Sequence, residues 1–140
     1  MRKLIVAIAL LSLLAPAGVL AAKKGPAGKY KGNSEQNRPV TFKIAKGKVK
    51  NFEGGINIFC IGQGLEFNAA IPPKAMKLNG KKFSYEGPDK SDSTNIKISG
   101  TLKKGAKVKG KITMTDSRYD SYNQTFSSCS GTAKFTAKRQ

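Results

Sequence analysis

The 140-residue chain has 26 lysines and arginines against 8 acids, a formal charge of +18, and it contains no histidine and no tryptophan. Without histidine it lacks the commonest general base and zinc ligand, which excludes Ser–His and Cys–His catalysis and the usual zinc sites. The charge is nearly all lysine, since beyond residue 2 the arginines are Arg38, Arg118 and Arg139. Ammonium groups supply a diffuse field rather than the planar fork that reads phosphates or base edges.

Met1-Arg2-Lys3 is a charged start, Leu4 to Leu14 is an almost unbroken apolar run, and Pro16 and Gly18 break it ahead of small residues. This is the pattern of a signal peptide over 1–21, cut after Ala21, with Ala22 the next choice. The competing reading, a membrane anchor, needs a longer uninterrupted stretch. No cysteine stands near the cut to take a lipid, and no second apolar segment follows. Residues 22–140 are then one exported domain, large enough for a single modest core.

From Lys23 onward the apolar residues recur with period two, which predicts strands and no helix. Gly28-Lys29-Tyr30-Lys31-Gly32 is a short first strand; Val40, Phe42 and Ile44 alternate with Thr41 and Lys43 up to a Lys46-Gly47 turn. Val49 starts a strand that meets Gly54-Gly55, read as a bulge in preference to a hairpin tip, before Ile56, Ile58 and Cys60. Leu65, Phe67, Ala69 and Ile71 form the next inward row, ended by Pro72-Pro73. Met76 and Leu78 lead to Asn79-Gly80, the pair that type I′ hairpin turns favour because both central residues need positive φ. Phe83 and Tyr85 continue from it. Ile96 to Leu102 and Ala106 to Met114 are two similar strands about a Lys104-Gly105 turn, each with a glycine (Gly100, Gly110) where strands bend sharply or another group packs close. A last strand runs from Thr125 through Phe135 and Ala137.

Eight or nine short strands joined by tight turns hide their edges best as a small antiparallel meander barrel, with a two-layer β-sandwich as the alternative. Lysines 46, 48, 50 and 107, 109, 111 point away from the apolar rows, onto a solvated outer face. Cys60 and Cys129, the only cysteines, both lie in the exported part and have no histidine to activate them, so they pair as one disulfide. Closing a loop of about 70 residues stabilises a fold by roughly 4 kcal/mol in the chain-entropy model.

Gly28-x-Tyr30-x-Gly32, Lys46-Gly47-Lys48-Val49, Cys60, Lys82-Phe83-Ser84, Ile98-Ser99-Gly100, Val108-x-Gly110 and the ending from Cys129 to Lys138 together resemble the small exported lysine- and glycine-rich β-proteins of actinobacterial genomes. That group has no assigned activity, so the resemblance implies fold and compartment and transfers no site. A fainter likeness is to the calycins, the lipocalin and avidin barrels, with Tyr30 where those families usually have tryptophan.

The stretch Thr115 to Asn123 breaks the lysine pattern and gathers Arg118, Tyr119 and Tyr122, a contact chemistry common on recognition loops. These are the candidate binding residues. Asp89 to Ser93 lacks the oxygen-ligand alternation and closing Glu of a calcium loop, so no metal and no cofactor is expected. Three function classes remain. The leading one is a non-catalytic module held by its charge on anionic cell-envelope or extracellular polymer. The second is a calycin-like barrel carrying a small ligand, which the aromatic residues would fill. The third is a carboxylate-based hydrolase, which needs Asp116 or Asp120 facing Glu53, Glu66 or Glu86 across a groove. Export, scarce arginine and the lack of an aromatic-interleaved basic strand argue against nucleic acid as a physiological partner.

Overall fold

The computed structural model describes residues 26–91, 94–121 and 123–140, so the signal peptide expected over 1–21 and Tyr122 lie outside the described residues. The strands are β1 Gly28–Ser34, β2 Pro39–Ala45, β3 Lys48–Cys60, β4 Gly64–Ala70, β5 Met76–Lys77, β6 Lys82–Pro88, β7 Thr94–Lys103, β8 Lys107–Asp120 and β9 Thr125–Arg139. All belong to one antiparallel sheet in the order β4-β3-β2-β1-β9-β8-β7-β6, with β5 on β3. The sheet closes into a ring. β5 pairs the start of β3 at Lys48↔Lys77 and Val49↔Met76, and it passes into β6 through a hairpin closed by the Asn79↔Lys82 bridge. At the opposite end the last residues of β3 pair β9 at Phe59↔Ser130 and Cys60↔Cys129, and there the disulfide forms. The barrel reading holds over the sandwich.

Local chemistry explains most of the turns. Ala45 pairs Lys48, and the two loop residues both take positive φ, Lys46 at 50° and Gly47 at 67°, which is the primed turn that matches strand twist. The Asn79-Gly80 turn differs from the sequence expectation by one position. Asn79 and Lys82 exchange both backbone hydrogen bonds, at 2.8 and 3.0 Å, so the loop is Gly80-Lys81. Of its two residues only Gly80, at φ 59°, is left-handed, as a Gly-first turn requires. β3 runs unbroken through Gly54-Gly55, and the register irregularity falls earlier, opposite Thr41–Lys43, where Asn51 takes φ 50°.

The interior is built from rings. Tyr30 stacks on Phe42 (centroids 5.0 Å), Phe42 meets Phe52 and Phe83 (5.7 and 6.0 Å), and Phe52 meets Phe135 (5.7 Å). Around them are buried, among others, Ile56, Ile58, Ile98, Val108, Ile112 and Ala133. The mid-strand glycines make room for these rings. Gly100 lies opposite Phe83, and Gly110 opposite Phe135; a Cβ at either would overlap the facing ring.

One predicted row is reversed. Leu65 and Phe67 are 69% and 54% exposed, not inward. β4 pairs β3 with Phe67 opposite Asn57 and Leu65 opposite Phe59, on the outer face, while Glu66 and Asn68 share the inner face with Ile58 and Ile56. Side chains paired across a ladder lie on the same face, so the strand partner fixes which alternate set goes inside.

Candidate functional site

The register brings the lysines together. Lys29 pairs Lys43, and Lys43 pairs Lys50, so β1, β2 and β3 present one transverse row. Lys31 pairs Lys138, Lys138 pairs Lys107, and Lys107 pairs Lys103, which carries a second row across β1, β9, β8 and β7. Lys48 opposes Lys77, and Lys111 opposes Lys134. Adjacent strands lie about 4.8 Å apart, so these ammonium groups ring the barrel as a belt. The turns at the same end add Lys46, Lys81 and Lys104, all exposed. Among the described residues Lys97, ion-paired to Glu86 at 2.9 Å, is the lysine that an acid neutralises.

Directly opposed like charges destabilise a sheet by a few tenths of a kcal/mol to about 1 kcal/mol each. Beside the belt, a surface cleft of about 590 Å³ lies along the β3 irregularity, lined by Lys50, Lys74 and Lys90 with Phe52, Glu53 and the Pro72-Pro73 turn. It offers three ammonium groups to one acid, a setting for an anionic group rather than a cationic one.

The second feature is the candidate loop at the other end. Arg118 and Tyr119 are neighbours on β8 and so point to opposite faces. Tyr119 lies outside, paired with Phe126 of β9 with ring centroids 5.1 Å apart. Arg118 lies inside, its Nε donating to Asp116 Oδ2 at 2.5 Å and its Nη1 to Glu66 Oε2 at 2.6 Å. These carboxylate bonds raise the guanidinium pKa above its ordinary value, the Asp116 bond contributing most and Glu66 next. Arg118 thus tethers β8 to β4 through its Nε and Nη1 donors.

The same contacts bear on the carboxylate pair. Asp116 and Glu66, which the hydrolase reading needed across a groove, do converge, but on Arg118, which fills the space between them. No group of three or more metal-ligating acids or cysteines occurs among the described residues. Asp89 is engaged locally, its Oδ1 accepting from Ser91 N and Oγ at 3.0 and 2.7 Å. A third small network lies outside β3: Arg38 Nε donates to Asn57 Oδ1 at 2.8 Å, and the guanidinium sits 4.6 Å over the Phe67 ring.

No protein-family model, curated protein or solved structure matches this chain. The site therefore rests on its own geometry. Sequence reading found the individual lysines but missed their opposition, because it depends on strand register and, for Lys31 with Lys138, on a β1–β9 pairing between opposite ends of the domain. The clue it held was the repeated Lys-x-Lys spacing at 29–31, 46–50 and 107–111, which puts successive lysines on one face of a strand.

Proposed function

We propose that the chain acts outside the cytoplasm as a non-catalytic basic barrel retained on anionic cell-envelope or extracellular polymer by its lysine belt. The observation that carries this reading is the like-charge opposition of Lys29, Lys43 and Lys50 and of Lys31, Lys138, Lys107 and Lys103. Such rows cost stability in the free protein, and a polyanion bridging them converts that cost into binding energy. Lysine suits a polymer of irregular charge spacing, because each flexible ammonium group finds its own partner. The disulfide fits an oxidising compartment. Among the described residues no helix is long and apolar enough to cross a membrane, so charge is the attachment this reading uses.

The test is co-sedimentation of residues 22–140 with isolated envelope across a salt series, beside a variant carrying Lys31→Gln, Lys43→Gln, Lys107→Gln and Lys138→Gln. Retention falls steeply with salt, and it is already weak in the variant at low salt. The variant unfolds no more easily than the parent, because it has lost opposed charges rather than contacts. Equal retention of both proteins at every salt concentration sinks the reading.

A further inference from the structure

We propose that two copies of this chain associate through the outer face of the barrel end opposite the belt. The described residues hold six large apolar side chains that are more than half exposed: Phe59 (59%), Ile61 (66%), Leu65 (69%), Phe67 (54%), Tyr119 (56%) and Phe126 (74%). They form one band. Leu65 is the cross-strand partner of Phe59, and Phe67 sits two residues along β4 from Leu65. Ile61 continues β3 beside β9, its N–H donating to the Ser128 carbonyl at 3.1 Å. Phe126 is two residues along β9 from Ser128 and opposite Tyr119. Between the apolar groups lie hydroxyls, with Ser130 opposite both Phe59 and Thr115, and Ser117 opposite Ser128.

Charge singles out the same face. In a chain of +18, the stretches 51–73 and 112–133 contain no lysine at all. They meet only because β3 pairs β9 at this end. At this end their charged residues are Glu66, Asp116 and Asp120 against Arg118, and Arg38 lies over the Phe67 ring, so this end is close to neutral while the belt end is strongly basic. β4 ends the sheet, with β3 its one neighbour among the described residues, and carries none of the lysines that ordinarily blunt an edge strand. β6, the other terminal strand of that path, begins at Lys82.

The occupant that fits is a second copy. A fully exposed ring or branched aliphatic presents on the order of 200 Å², so the band offers roughly 700 Å² of apolar surface. That exceeds the largest patch of an ordinary monomer, about 300–600 Å², and approaches the ~800 Å² each partner contributes to a stable interface. Two strongly cationic molecules repel everywhere except where their lysine-free ends meet, and a self-complementary two-fold contact keeps the belts on the outside. The resulting dimer presents two belts.

Sedimentation equilibrium of residues 22–140, from micromolar to near-millimolar concentration and across a salt series, tests this. The segment contains every described strand. A monomer–dimer equilibrium is expected that tightens as salt rises, because screening removes repulsion between the copies; belt-mediated retention on envelope weakens over the same range, so the two proposals fail separately. Phe59→Ser and Leu65→Lys, both at exposed positions, each weaken association by at least about 30-fold, the loss of one interface hot spot. Lys31→Gln leaves it unchanged or tighter. A monomer at every concentration and salt overturns the proposal, as does a dimer indifferent to both face variants. Flotation of monomeric protein with neutral phosphatidylcholine vesicles overturns it too, in favour of a lipid surface.

Discussion

At the end where β2 turns into β3 and β7 into β8, the barrel is filled by the Tyr30, Phe42, Phe52, Phe83 and Phe135 rings and wrapped in lysine. At the end where β3 turns into β4 and β8 into β9, Phe59, Ile61, Leu65, Phe67, Tyr119 and Phe126 stand outside while Ile58 and Met114 still pack inward. There the joining is done by one disulfide and one arginine between two carboxylates. The difference teaches that alternation alone does not decide a strand's inner face. Where a ring of strands closes over aromatic side chains, the apolar set goes in. Where hairpins reach past that ring, cross-links hold them and the apolar set is left for another surface.

The sharpest way to break the contrast is to remove the disulfide. Cys60→Ala with Cys129→Ala lowers the unfolding free energy by about 4 kcal/mol, the chain-entropy value for a separation of 69 residues. Denaturant unfolding measures it. Because β3 and β9 share only the Phe59↔Ser130 and Cys60↔Cys129 pairs, hydrogen exchange rises first in β4 and the distal half of β3. β7 and the proximal part of β8, joined along ten residue pairs from Thr94↔Asp116 to Lys103↔Lys107, keep their protection. A uniform loss of protection would mean that the two ends are one cooperative unit.

The complementary change strikes the ring-filled end. Gly110→Ala puts a methyl group into the Phe135 ring and against the Ser99 carbonyl of β7, and neither can retreat without moving its neighbours. Overpacking of this kind costs about 1–3 kcal/mol, read as a lower denaturation midpoint, with the disulfide intact. Gly105→Ala is the control. Its Cβ meets open space, so only the left-handed φ of 74° opposes it, at roughly 1 kcal/mol.

These positions mark how much the sequence disclosed. Period two, the Lys46-Gly47 turn and the paired Gly100 and Gly110 were legible because they are local, and the all-β barrel follows from them. The Cys60–Cys129 bond was legible from the cysteine count and the absence of histidine, with export as the expected setting. The face of β4 was not, since Leu65-x-Phe67-x-Ala69 reads as a core row until its register against Asn57 and Phe59 is known. Arg118 and Tyr119 read as one cluster because they are adjacent, and adjacency on a strand separates them. The lysine belt and the lysine-free end both depend on where β9 runs, beside β8 for most of its length, with β1 on its other side over its last residues and β3 nearer its start. That is a long-range choice no short window contains.

The smallest effect is a pH dependence at the first stacked ring. Tyr30 is 1% exposed, and its hydroxyl donates to the Pro26 carbonyl at 2.7 Å. Burial raises its pKa above the ordinary 10.0, partly offset by the positive charge of Arg139. An acid whose folded pKa is raised binds its proton more tightly in the native state. Its contribution is therefore complete below pH 10 and is lost as pH climbs from there through the folded value. At neutral pH Tyr30→Phe costs about 1 kcal/mol, the worth of the lost hydrogen bond. Above pH 10 the unfolded wild-type chain ionises first, so the gap between the two proteins narrows. The belt is the same in both proteins, so its contribution cancels from the difference. Denaturant unfolding of the pair at neutral pH and above pH 10 measures that gap, and a constant value across the range would show that the Tyr30 hydroxyl is solvated rather than sealed under the lysine end.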